Sequence, residues 1–256
     1  MNKIEVAVLQ EPSNTNISGF LARLTQRGHE ISDMNDLLEL WEKPVSSKLR
    51  NSLASLHHGT IKRFDLYTVA VVGASRRFLA QIRTHQHADF VSGSLQYSDW
   101  SDINRASDWE KMFVVPYKFI EEPTAANVYL RECASAYNTY QTLARVDNDA
   151  AGFIMPNGLR NVLIIQANVQ QWQYMIKLRA CNRNSLETQY VMLRIWEELL
   201  KTEYGEDFFN PEHTGADCST SSCHEGKFCC QAPWDKGEYP GVLLRTYFPL
   251  LYKEDQ

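Results

Sequence analysis

The junction at Gly73 constrains this chain most. Ahead of it, Phe64 to Val72 (FDLYTVAVV) alternates and is rich in β-branched and aromatic residues, which predicts a strand. Behind it, Ser75 is a good N-cap for a helix opening at Arg76, with Phe78, Leu79 and Ile82 as the inner face. Continued to Ala88, that helix would place Gln81, His85 and Ala88 on one line, at spacings of four and three. Polar groups crowd its second half, among them Arg83, Gln86 and His87, and the small-residue loop Ser92-Gly93-Ser94 follows at once. A helix that ends in imidazoles beside a loop of hydroxyls and amides is a candidate ligand site. Taken singly, the same residues have plainer readings: His85 as a structural histidine, the loop as a turn, and Arg179 on its helix as a surface ion pair.

The rest of the chain predicts an α+β protein, with few strand signals and many helical ones. Ile4 to Leu9 alternates as a first strand. Helices are expected over Asn14–Arg27, Asp33–Trp41, Lys48–Leu56, Ala125–Leu143 and Leu186–Thr202. Val162, Ile165, Val169, Trp172 and Ile176 recur at helical spacing and predict one long helix after Pro156. Asp147 to Gly152 reads as a turn. From Tyr204 the composition shifts to Gly, Pro, Cys and charge, and no internal repeat is visible.

The 256 residues carry a formal charge of -5, which argues against general nucleic-acid binding, since that needs a basic surface to displace counterions. A hydrophobic content of 44% with 22% charged residues is ordinary for a globular protein. No apolar run is long enough to span a bilayer, and the first residues do not read as a signal peptide. Six cysteines in a chain this long do not suggest a disulfide scaffold, so the expected compartment is reducing and cytoplasmic. Adjacent His57 and His58 suggest a metal, but no carboxylate at helical spacing completes a site. Four cysteines crowd into Cys218 to Cys230, beside His224; they lack a clear Cys-x-x-Cys knuckle, and free thiols or a local cross-link are expected over zinc.

Taken together, these pieces resemble the flavin-dependent thymidylate synthases. The family signature, R-H-R, two residues, S, four residues, S, one residue, R, then usually Y, falls on Thr84-His85-Gln86, Asp89, Ser94, Gln96 and Tyr97. His85, Ser94 and Tyr97 match; the arginines and the first serine do not. Around it, His58-Gly59-Thr60 stands for a His-x-Ser, and Gly73, Ser75-Arg76 and Gln81 keep their places. Ala150 to Pro156 keeps the Ala and Pro of an Asp-Ala-Arg-x-x-Leu-Pro segment but has Gly152 for its Arg. Asn168, Leu178-Arg179 and Glu187 follow in order, and Cys218, Cys223-His224-Glu225-Gly226-Lys227 and Cys229 match a family tail. The similarity covers most of residues 4–230, which are expected to form a single domain, with 231–256 as a C-terminal extension.

The resemblance implies an α+β fold with a mixed or antiparallel sheet and long helices. It implies a homotetramer whose active sites are shared between subunits and hold FAD, with NADPH and methylenetetrahydrofolate as co-substrates. The implied reaction places a one-carbon unit on the pyrimidine ring of dUMP or a related pyrimidine nucleotide. The cofactor performs the hard step, so no catalytic cysteine and no metal are expected. Arg179 matches the arginine set against the pyrimidine, as the catalytic residue. Gln81, Thr84, Ser92, Gly93, Ser94, Gln96 and Gly152 fall at nucleotide positions. His58, Thr60, Thr84, His85, Gln86, Ser92, Asn168, Gln170 and Tyr174 fall at flavin positions. Four positions where the family has arginine are Thr84, Gln86, Gln96 and Gly152. Charge-assisted hydrogen bonds contribute roughly 1.5–3 kcal/mol each, so losing two removes roughly 3–6 kcal/mol, about two to four decades of affinity. Either Arg76, Arg77, Arg83 or Arg160 substitutes, or the nucleotide is altered in base, sugar or phosphate. Related readings are an enzyme that transfers hydroxymethyl and a non-catalytic homologue that binds nucleotide or flavin. The apolar run Tyr247 to Leu251 is expected to pack on a neighbouring subunit.

Overall fold

The alternating run forms the centre of a sheet. The computed structural model describes residues 4–12, 17–56, 59–98 and 112–252. Strand β1 is Glu5–Gln10, β2 is Leu66–Ser75, β3 is Ala88–Ser92 and β4 is Arg160–Asn168. They pair in the order β1-β2-β4-β3, antiparallel throughout. Val69 sits opposite Ile165, and Phe90 faces Ile165 from the other side. Alternate residues of β2 (Tyr67, Val69, Val71) and of β4 (Leu163, Ile165, Ala167) point into the core. This two-residue period is what a sheet with one face covered requires.

The structure corrects two readings of the sequence. The segment after Pro156 is not one long helix. Arg160–Asn168 is strand β4, and the helix occupies only Val169–Arg179. Val162, Ile165 and Val169 fit a helical template, but so does the alternation Asn161, Leu163, Ile165, Ala167 fit a strand, and pairing with β2 along its whole length decides for the strand. The helix opened by Ser75 also stops at Ile82, so Gln81, His85 and Ala88 do not share a helical line, and Ala88 begins β3. The Thr84 hydroxyl donates to the Gln81 carbonyl at 2.9 Å, a local bond that competes with further helix.

Helices α1 (Ile17–Arg27), α2 (Met34–Glu42), α3 (Ser47–Ser55) and α5 (Pro123–Leu143) lie where the apolar spacing places them, within a few residues, while α4 (Arg76–Ile82) starts where Ser75 places it and ends early. Helices α6 (Val169–Arg179) and α7 (Leu186–Leu200) cover the sheet's inner face, and α8 (Pro240–Tyr247) packs on α7. Asp147 caps the short helix Asn148–Ala151 where a turn was expected. Trp172 and Trp196 are wholly buried, and each indole N–H finds a carbonyl: Tyr67 at 3.3 Å and Phe209 at 2.8 Å. A second, smaller cluster gathers Met112, Phe113, Tyr137, Tyr140 and Leu159 against α5.

Residues beyond 230 are built into the main core. Trp234, Leu243, Leu244 and Phe248 are buried in it. Phe248 meets Tyr117 and Tyr190 edge to face, with ring centres 5.4 and 5.3 Å apart. The run Tyr247 to Leu251, expected on a neighbour, thus turns its phenylalanine into its own chain.

The Gly73 junction sets the direction in which α4 leaves the sheet. The β2–β4 register slips between Val72 and Ala74, and Gly73 adopts φ +91, a backbone that a side chain opposes. One residue past the bulge, the Ser75 hydroxyl accepts from Phe78 N at 3.1 Å and donates to the Glu187 carboxylate at 2.6 Å. That fixes α4 to both the sheet and α7.

Candidate active site

Arg179 ends α6 and reaches across to the turn after α4. Its Nε donates to His85 Nε2 at 2.9 Å, and its Nη2 donates to the Thr84 hydroxyl at 2.7 Å. The bond to Nε2 requires a neutral ring with its proton on Nδ1. Burial, helped by the Arg179 charge, pushes the His85 pKa down to about 4. The imidazole is therefore an uncharged acceptor near neutral pH, which orients the guanidinium without opposing it. Tyr174, one turn before Leu178 on α6, meets the His85 ring edge to face at 5.9 Å.

These groups line an open cavity of about 680 Å³. Of the residues singled out in the sequence, Thr84, His85, Gln86, Asn168, Gln170, Tyr174 and Arg179 come together on its wall. The Asn168 side-chain oxygen Oδ1 caps α6 by accepting from Gln171 N at 2.9 Å. His87, one of the polar groups that crowd the end of the predicted helix, is on the same wall, and sequence reasoning missed Arg63, Gln171 and Leu178 there. Arg63 donates to Gln170 Oε1 at 2.7 Å, and Gly59 lies so close to Gln170 that a Cβ would overlap its amide. Thr60 is exposed beside that glycine, and His58 lies outside the described residues.

The nucleotide positions form a second group, apart from the cavity wall. Ser94 accepts from Gln96 N at 3.1 Å, and the Asn148 amide ties the loop down by donating to the carbonyls of Leu95, Gln96 and Ser98. Asn161 donates to the Gly93 carbonyl at 2.9 Å. Gly152 packs next to Leu95, so two of the substituted arginine positions, Gln96 and Gly152, share one surface. The other two, Thr84 and Gln86, belong to the cavity. Arg83 donates to the Ser92 hydroxyl at 2.5 Å and brings a cation to the foot of the loop. Arg160, in contrast, is folded onto the Gly73 carbonyl at 3.1 Å. Gln81 is engaged by the hydroxyls of Ser185 and Thr188, away from both groups.

Two guanidiniums, several amides and a pair of aromatic rings around one cavity suit a ligand that combines an anionic part with a flat heteroaromatic part. That is the chemistry of a flavin dinucleotide.

The family model described as thymidylate synthase complementing protein matches residues 8–202. The chain belongs to that family, whose curated relatives are enzymes named flavin-dependent thymidylate synthase. The one from Thermococcus onnurineus is 25% identical over 209 residues, 77% of this chain and 83% of that protein. The one from Thermococcus kodakarensis is 22% identical over 220 residues, 81% and 86% of the two chains. Among solved structures, thymidylate synthase X of Helicobacter pylori, determined with FAD and dUMP, has a TM-score of 0.63 at 16% identity and spans 80% of this chain and 97% of its own. The UMP/dUMP methylase PolB of Streptomyces cacaoi, bound with 5-Br dUMP, has a TM-score of 0.60 at 16% identity, spanning 81% and 95%. These structural likenesses establish the fold, α+β with an antiparallel four-stranded sheet. Among the described residues no helix is long and apolar enough to cross a membrane.

Proposed function

We propose that the protein binds FAD in the Arg179 cavity and methylates the pyrimidine ring of dUMP or a close relative, with methylenetetrahydrofolate as the carbon donor and NADPH as the reductant. The observation that carries this reading is the aimed guanidinium: Arg179, fixed by neutral His85 and by Thr84, on the wall of the cavity. Bound FAD would supply the redox chemistry; the protein's part is to bind, orient and stabilise charge. Gln86, Asn168, Gln170 and Tyr174 would hold the flavin. A guanidinium fixed before the reaction stabilises negative charge that develops on the pyrimidine, without reorganising. The loop Ser92 to Gln96, with Gly152 beside it and Arg83 at its foot, would take the nucleotide.

A pyrimidine nucleotide altered in base, sugar or phosphate is favoured by one observation. Gln96 and Gly152 offer no cation on the loop surface, and Arg83 is the basic side chain bonded to it. A shared-site homotetramer and a cytoplasmic location belong to the same proposal, the former supported by the loop residues Ser92 to Gln96 not lining the cavity within one chain.

The test is release of tritium from carbon 5 of labelled pyrimidine nucleotides, with FAD, NADPH and methylenetetrahydrofolate present. Turnover of dUMP or an analogue, abolished in a folded Arg179→Ala protein, supports the proposal. Flavin uptake without turnover of any pyrimidine nucleotide would replace it with a binding role.

A further inference from the structure

A second cavity, of about 340 Å³, lies behind α6 from the first and is lined by Cys181, Cys218, Cys223, Cys229 and Cys230. Five thiols around one space is a concentration that the proposed pyrimidine chemistry does not use. The tail that carries four of them is pinned in place. Arg183 pairs with Glu225 at 2.7 Å, Lys177 with Asp217 at 2.7 Å, and His224 with Asp217 at 3.1 Å. Among the described residues no three His, Cys, Asp or Glu side chains converge in a way that could hold a metal ion. The chemistry left to the cluster is that of sulfur with sulfur.

The thiols are not equivalent. Cys229 follows the single helical turn Gly226–Phe228, and its sulfur accepts from the backbone N–H of Gln231 at 3.4 Å. Gln231 itself holds φ 57, in the left-handed region. Cys223 and Cys230 line the same cavity, and the Cys230 thiol donates to the Ala232 carbonyl at 3.7 Å. Hydrogen bonds to sulfur stabilise the thiolate, and Cys229 is pushed below the ordinary thiol range, chiefly by Gln231 and then by Cys223. Cys223 is held above that range because the Glu225 backbone N–H, which lowers it, is outweighed by Cys229 and burial together, and Cys181 is held above it by burial. Cys223 and Cys229 line one cavity, six residues apart on a tail held by three ion pairs, and both are partly accessible.

We propose that Cys229 and Cys223 form a thiol–disulfide exchange site for low-molecular-weight disulfides, with Cys229 as the attacking sulfur and Cys223 as the resolving one. The Cys229 thiolate attacks one sulfur of the small disulfide; that S–S bond breaks, and the other half leaves as a thiolate. The Cys223 thiolate then attacks the Cys229 sulfur of the mixed disulfide and displaces the second half. Two protein thiols are oxidised, the small disulfide is reduced to two thiols, and the protons of Cys229 and Cys223 end on those thiols. Leu178 lines both this cavity and the first. The site does not depend on the identity of the pyrimidine substrate.

The test treats the reduced, folded full-length chain with oxidised glutathione and maps the products by non-reducing peptide mass spectrometry. Cleavage after Lys227 separates Cys223 from Cys229, so a cross-link joins two peptides. The expected result is a Cys223–Cys229 link in the wild type and in Cys230→Ser. In Cys223→Ser a glutathionyl adduct should persist on Cys229. In Cys229→Ser the first adduct should form about tenfold more slowly or less readily still. Circular dichroism confirms that each variant folds. If Cys229→Ser does not fold, the order of adduct formation in the wild type decides alone. A first adduct on Cys218 or Cys230, a link between other cysteines, or no reaction until the protein is denatured would overturn the proposal.

Discussion

At the scale of residues, the site rests on Arg179 and the two acceptors that aim it. Arg179→Ala should lower turnover by about 10²–10³-fold, the range for removing one donor to developing charge. Arg179→Lys should recover little, because an ammonium cannot meet His85 and Thr84 with one planar fork. The shift at His85 has a sign that a melting curve can read. Its folded pKa of about 4 lies below the ordinary value of 6.5. Between those values the unfolded chain binds more protons, so stability rises with pH across the window and falls as pH drops through it. Tm measured from pH 7 to pH 4 should decline, and His85→Gln should flatten part of that decline; an unchanged slope in the variant would remove His85 as its source. Arg83→Ala should weaken nucleotide binding by about ten- to a hundredfold in equilibrium titration, the loss of one charge-assisted hydrogen bond. Arg179, His85 and Thr84 were legible in the sequence because their order and spacing survive even where the signature arginines do not. Arg63 was not legible: it reaches the cavity only because the segment ahead of β2 folds back over the start of α6, and no local pattern encodes that contact.

At the scale of elements, the Gly73–Ser75 corner does most of the positioning. Ser75→Ala removes the cap of α4 and one partner of the half-buried Glu187 carboxylate, whose pKa desolvation already raises. Chemical denaturation should show a loss of about 1–3 kcal/mol. Gly73→Ala forces a side chain onto a positive φ and against the Arg160 guanidinium, and should lose a similar amount. Strand β2, the cap at Ser75 and most helices were readable from local pattern and cap chemistry. Strands β3 and β4 were not. A short apolar run such as NVLIIQAN satisfies both periods, and only the presence of β2 beside it chooses between them. The same ambiguity extended α4 through His85, although the Thr84 bond to Gln81 ends it.

At the scale of the whole molecule, the family match stops at residue 202, but the hydrophobic core does not. Trp234, Leu243, Leu244 and Phe248 pack into the same core as α7. A chain cut after Gln231 would remove all four, and each large apolar side chain removed from a core is worth about 2–5 kcal/mol. Such a truncation should therefore be insoluble or lack a cooperative melt; a soluble fragment with the full-length Tm would show instead that residues 232–256 form a separable extension. The central claim is that a cavity with altered signature residues still holds a flavin next to a pyrimidine nucleotide. The visible absorption spectrum of the purified protein, titrated first with FAD and then with dUMP and its analogues, tests this most directly. The account predicts a protein-bound flavin band that a pyrimidine nucleotide perturbs. A protein that stays colourless and takes up no added FAD would contradict it.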